Sequence, residues 1–225
     1  MVIEFSADSA VADAFLVGHV LAGVVALVAG MGAIVTAKGR HRHNTAGKLY
    51  VAAMVLVVVT AVPLAILIEN WFLLAIAVFS GYLVFGGYRI IQRRRAGLTG
   101  LTAVDYAGHG TMLVAGAGMI GAGGWQTATG SPGAWPALAV FGAVGAGFAL
   151  AVLGQFRKPV ADRTPWITWH IGFMGGAYIA TVTATVTVNL TMLPPLARWL
   201  GPTVVGVPLI VYAVGKYQPK FAPQR

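Results

Sequence analysis

Seven stretches of this chain are long and apolar enough to be read as membrane spans: residues 13–37, 48–68, 71–91, 103–124, 134–155, 165–191 and 200–217. Crossing ~30 Å of hydrocarbon takes about 20 such residues in a helix. A chain with this pattern is confined to an all-α integral membrane bundle, here of seven transmembrane helices, because an open strand leaves its backbone unbonded in lipid. Composition agrees. The chain is 58% hydrophobic and 9% charged, where a soluble domain carries roughly a quarter charged residues. One segment argues the other way: residues 181–189, TVTATVTVN, alternate at a period of two, as a half-buried strand does. They lie inside the sixth span, so they are read as helix, with threonine hydroxyls bonded back to carbonyls one turn earlier. The seventh span is the weakest, being short and interrupted by Pro208.

Helix start signals accompany several spans. Asn44 is placed to cap the second, Thr102 and Asp105 make a T-x-x-D capping box for the fourth, and Thr164-Pro165 opens the sixth. Between the spans, basic residues collect in alternate connections. Lys38, Arg40, Arg42 and Lys48 follow the first span, and Arg89, Arg93, Arg94 and Arg95 close the third. Arg157, Lys158 and Arg163 follow the fifth, and Lys216, Lys220 and Arg225 end the chain. Fourteen of the fifteen cations thus share one side, with Arg198 alone opposite, while Glu4, Asp8, Asp13 and Glu69 fall on the other side. The positive-inside rule then sets the N-terminus outside and the C-terminus in the cytoplasm, in the cell membrane.

The net charge of +9 therefore reports topology. It does not point to nucleic acid, since no basic stretch is interleaved with a stacking platform. Without cysteine there is no disulfide, thiolate metal site or iron–sulfur cluster. The N-terminal residues carry no positive charge, so the first apolar run is expected to be a retained span rather than a signal peptide. Residues 1–225 read as a single transmembrane domain.

Shifting the chain by 90 residues places Gly18-His19 on Gly108-His109, Gly86 on Gly176 and Tyr88 on Tyr178. Spans one to three (13–91) would then match spans four to six (103–191), leaving the last helix, 200–217, outside the repeat. Three is odd, so the halves would insert in opposite orientations, a 3+3 inverted repeat of the kind found in transporters. Small residues line several helix faces: Gly23, Ala26, Gly30 and Ala33 on span one, Gly116 and Gly123 on span four, Gly142, Ala146 and Ala149 on span five. Such faces permit close helix contact.

Ionisable residues inside membrane spans mark function by default. Here they are His19, His109 and His170, with Asp105 at the start of span four. Asp105 and His109 are i and i+4, hence on one face, although a carboxylate at that position also serves as a helix cap. His109 and His170 each lie about five residues from the inner ends of their helices, ~8 Å deep at 1.5 Å per residue. Equal depth on two helices is what a bis-histidine haem b or a shared divalent metal requires. Gly108, Gly110, Gly172, Gly175 and Gly176 would leave room for a planar ring, and Arg93 to Arg95, Arg157 and Arg163 could meet propionates. His43, beside the second helix, and Asp105 are candidate further metal ligands. A rival pattern is a polar stripe of His170, Met174, Tyr178, Thr181, Thr185 and Asn189 along span six, which should face protein or water.

The strings GHVLAG, KGRHRHNTAGKLYVAAM, FSGYLVFGGYR, DYAGHGTM and WHIGFMGGAYIA together resemble a family of predicted polytopic membrane proteins of unknown function, found in bacteria and archaea. The most distinctive matches are His41, Arg42 and Gly47 in the first loop and His170 in span six. The resemblance implies a membrane location and a multi-helix fold; it brings no activity.

Three functions fit these residues. One is a haem- or metal-binding redox protein with His109 and His170 as ligands. Another is a small-solute or ion transporter on the inverted repeat, with His19, His109, Tyr178, Thr181, Thr185 and Asn189 along its path and no cofactor. The third is a non-catalytic assembly partner, within a homo-oligomer or a larger membrane complex. The absence of a mid-membrane Asp or Glu weighs against a proton-coupled cation carrier.

Overall fold

The computed structural model describes residues 10–221. Glu4, Asp8 and Arg225, used above for topology, lie outside them. The described chain is helical throughout: α1 (Ala10–Val35), α2 (His41–Leu67), α3 (Trp71–Arg95), α4 (Ala103–Ala128), α5 (Trp135–Gln155), α6 (Trp166–Asn189) and α7 (Pro195–Phe221), with a 3-10 turn at Val160–Asp162. The helices form two compact units that divide within α3, the first ending at Ala77 and the second beginning at Val78.

Six of the helices, all but α4, are long and apolar enough to cross a membrane. The difference from seven lies in the side chains of α4. With 26 residues it has the length, but it carries Asp105, His109 and seven glycines. The seventh span, by contrast, gains strength in the structure, because α7 runs for 27 residues. Pro202, Pro208 and Pro219 lie within α7. Large apolar side chains stand outward on these helices, Val28 at 70% exposure and Val204 at 72% among them. That is the surface of a multi-pass integral membrane protein, apolar where lipid rather than water is the solvent.

In the first unit, α1 and α2 pack along Ala22, Ala26 and Ala29, all buried. A Cβ on Gly23, expected at a helix contact, would meet no atom within 4 Å. α2 begins at His41, earlier than its apolar run, so Asn44 sits in the first turn and does not cap the helix. Its amide donates to the Arg40 carbonyl at 3.0 Å as an ordinary helical bond.

In the second unit, α4 packs on α5, α6 on α7, and α5 also touches α7. The α4–α5 contact is the close one that small residues were expected to allow. A Cβ on Gly116 would come within 2.8 Å of the Gly142 carbonyl, and one on Gly123 within 2.7 Å of the Trp135 carbonyl. Residues 181–189 are helical, as their place in a span requires. Thr181 donates to the Ala177 carbonyl at 3.0 Å and Thr185 to that of Thr181 at 3.2 Å. The hydroxyls of Thr183 and Thr187 are buried with no hydrogen-bond partner among the described residues.

Candidate functional site

The site is assembled from the end of α3. Tyr82, Gly86, Arg89 and Arg93 follow one another at spacings of four, three and four, which puts them on one helix face. Gly97, at φ +63°, ends the helix in a left-handed turn; the Leu98 amide donates back to the Arg93 carbonyl at 3.0 Å. The chain then reaches Thr102, where α4 begins with the capping box read from the sequence.

Asp105, only 1% exposed, is the hub. It accepts from Arg89 Nε at 2.8 Å and Nη2 at 3.3 Å, from Arg93 Nη1, and from the amide and hydroxyl of Thr102 at 2.8 and 2.7 Å. Thr102 in turn accepts from Arg89 Nη2 at 2.8 Å. One turn on, His109 is 4% exposed and its Nδ1 lies 2.9 Å from the Tyr82 hydroxyl. Tyr82 and Arg93 thus serve two adjacent positions of α4 from one face of α3.

A cavity of about 250 Å³ opens beside this network, walled by α3, α4, α5 and α6 and by the segments joining them. His109 and Asp105 lie on one wall; Phe156, Trp166, Trp169 and Phe173 supply aromatic walls. Four guanidiniums line it, those of Arg89, Arg93, Arg94 and Arg163, against the single carboxylate of Asp105. Two of them flank one ring: Arg93 and Arg163 each stand 4.6 Å from the centre of Phe156. Arg94 stands 4.2 Å over Trp166. Arg163 also ties the α5–α6 connection down, donating to the carbonyls of Thr99, Lys158 and Phe156.

The other sequence candidates fall as follows. His170 bonds through Nδ1 to the Gly87 carbonyl at 3.1 Å and is not among the residues lining the cavity. Tyr178, Thr185 and His170 are half-buried, Thr181 is buried and Asn189 is exposed, donating to the Thr185 carbonyl at 2.8 Å. In the first unit, His43 Nδ1 lies 2.9 Å from the Ala33 carbonyl, fastening the end of α1. His19 Nδ1 lies 3.1 Å from both the Val57 carbonyl and the Thr60 hydroxyl, joining α1 to α2.

Among the described residues no three or more His, Asp or Glu side chains gather as metal ligands would. Of the glycines expected to leave room for a planar ring, Gly108 is packed by Phe85, Gly172 by Phe148, Gly175 by Ile210 and Gly176 by Leu83, while a Cβ on Gly110 would meet nothing within 4 Å. Tyr82, Arg89, Trp169 and Phe173 belong to the site and were not singled out from the sequence. The spacing of Tyr82, Gly86, Arg89 and Arg93 was the available signal.

These observations describe a multi-pass integral membrane protein with a basic, aromatic-walled cavity at one end of its second unit. No protein-family model, curated protein or solved structure matches the chain, so the resemblance noted above carries no further than a multi-helix membrane protein.

Proposed function

We propose that the chain is a small-solute transporter of the cell membrane, with its N-terminus outside and its C-terminus in the cytoplasm, and that its solute binds in the cavity of the second unit. The observation that carries this reading is the cavity itself, which reaches from a basic mouth down to His109 on α4. Ionisable groups kept inside membrane helices face cavities and mark the paths of solutes and protons. Tyr178, Thr181, Thr185 and Asn189, buried or half-buried except for the exposed Asn189, would continue the path along α6, with His19 as the counterpart of His109 in an inverted repeat. In a panel of cationic, neutral and anionic solutes, at least one should raise the unfolding temperature of the purified protein and exchange across proteoliposome membranes. His109→Ala should weaken both effects. A panel in which no solute of any charge does either contradicts the reading.

A second reading, a haem b or divalent-metal redox protein, draws on one observation: His109 lines the cavity with guanidiniums that would suit propionates. With Nδ1 engaged by Tyr82, Nε2 would be the ligating nitrogen. His170 would have to leave the Gly87 carbonyl to share an iron. A Soret band lost in both His109→Ala and His170→Ala supports this reading; a colourless, metal-free, folded preparation rules it out.

A further inference from the structure

The cavity holds more positive charge than its own residues neutralise. Asp105 already accepts five hydrogen bonds, from Arg89, Arg93 and Thr102, and the ion pairs to Arg89 and Arg93 are the only ones among the described residues. One carboxylate cannot balance two guanidiniums, and among the described residues neither Arg94 nor Arg163 makes an ion pair with a carboxylate. Basic side chains at a helix end ordinarily snorkel outward to the headgroups. Arg89 and Arg93 do not: their side chains are 17% and 8% exposed and turn inward to line the cavity. Taking such charge out of water is unfavourable unless a counter-charge accompanies it.

The wall chemistry narrows the counter-charge. Guanidiniums are planar forks that match phosphate oxygens two at a time. Trp166 and Trp169, both half-buried, offer aromatic surface on the α6 side of the same space, with the fully buried Phe173 behind them. At about 250 Å³ the cavity is a little smaller than the ~300–1,000 Å³ of drug-sized sites. It suits a phosphate with a short apolar group, or a headgroup phosphate with its lipid tails left in the bilayer.

We propose that this cavity binds a phosphate monoester or diester, with the anion among Arg89, Arg93, Arg94 and Arg163 and the adjoining apolar part against Trp166 and Trp169. The proposal rests on the reading of the cavity as a solute site and names the class of solute. Its chemistry comes from two sources, a free organic phosphate or an anionic phospholipid, which the experiment separates.

The test uses the full chain in detergent, with phenyl phosphate, benzyl alcohol and benzylamine as anionic, neutral and cationic probes followed by thermal unfolding. In parallel, the protein is placed in nanodiscs of phosphatidylcholine with or without phosphatidylglycerol, and bound lipid is identified by native mass spectrometry. Phenyl phosphate should stabilise the protein where the other two do not. Its affinity should fall about tenfold in Arg94→Gln and less in Arg94→Lys; Arg94 is exposed and outside the Asp105 network, so these variants keep the fold. Retention of phosphatidylglycerol over phosphatidylcholine, lost in Arg94→Gln, assigns the site to lipid if phenyl phosphate is inert. Stabilisation by benzyl alcohol or benzylamine alone overturns the phosphate assignment and leaves the transporter reading standing. Phosphate binding that Arg94→Gln does not alter overturns it as well. Silence of all three probes with no retained lipid overturns the phosphate assignment; the transporter reading falls with it only if the wider solute panel is silent too.

Discussion

Asp105 shows how one side chain can answer to two demands. As the third residue of α4 it completes a capping box, and as a carboxylate it faces two guanidiniums from α3. The first role is local and follows from T-x-x-D spacing. The second depends on α3 presenting Arg89 and Arg93 four residues apart, which no local rule connects to Asp105. Removing the charge leaves Arg93, 7% exposed, without its partner. Breaking a buried pair from one side is destabilising by about 3–5 kcal/mol. Asp105→Asn should therefore lower the unfolding temperature of the purified protein strongly, in thermal unfolding followed by circular dichroism. A loss below about 1 kcal/mol, the range of exposed pairs, would mean that capping alone explains the residue.

Among the helices, the glycines divide into those that are packed and those that are open. A Cβ at Gly142 would sit 2.7 Å from the Gly116 carbonyl and the Cβ of Met119, whereas one at Gly118 would meet nothing within 4 Å. Gly142→Ala should destabilise the protein by about 1–3 kcal/mol through overpacking. Gly118→Ala should be neutral or stabilising by up to about 1 kcal/mol, since alanine favours the helix. Equal effects in denaturant titrations would mean that α4 and α5 are not in close contact.

The same contrast marks what could be read from the sequence. Spans, the capping box and the helical state of residues 181–189 follow from length, spacing and the needs of backbone in lipid, so they were legible. The small residues of α4 and α5 were legible as a contact, but Gly23 was not separable from them, because a small residue looks alike whether it meets a neighbour or lipid. The cavity was only half visible. His109 and Asp105 stood out as rare ionisable groups, while Tyr82, Trp169 and Phe173 looked like ordinary span residues until α3 and α6 were set beside α4. Depth alone paired His109 with His170; the direction each ring faces needs the fold.

At the scale of the whole molecule, the proposed topology turns the basic end of the second unit, where the cavity opens, toward the cytoplasm. The cations of Arg89, Arg93, Arg94 and Arg163 serve at once as topology signal and as cavity wall. Because the chain contains no cysteine, single cysteines report on position without a background. Thr164 lies exposed at the cavity, and Thr129, also exposed, ends α4 in the connection to α5. The decisive measurement is labelling of Thr164→Cys and Thr129→Cys by a membrane-impermeant maleimide in right-side-out and inside-out vesicles. Thr164→Cys should react only in inside-out vesicles and Thr129→Cys only in right-side-out ones. Labelling of Thr164→Cys in right-side-out vesicles, or of both positions from one side, would contradict this topology.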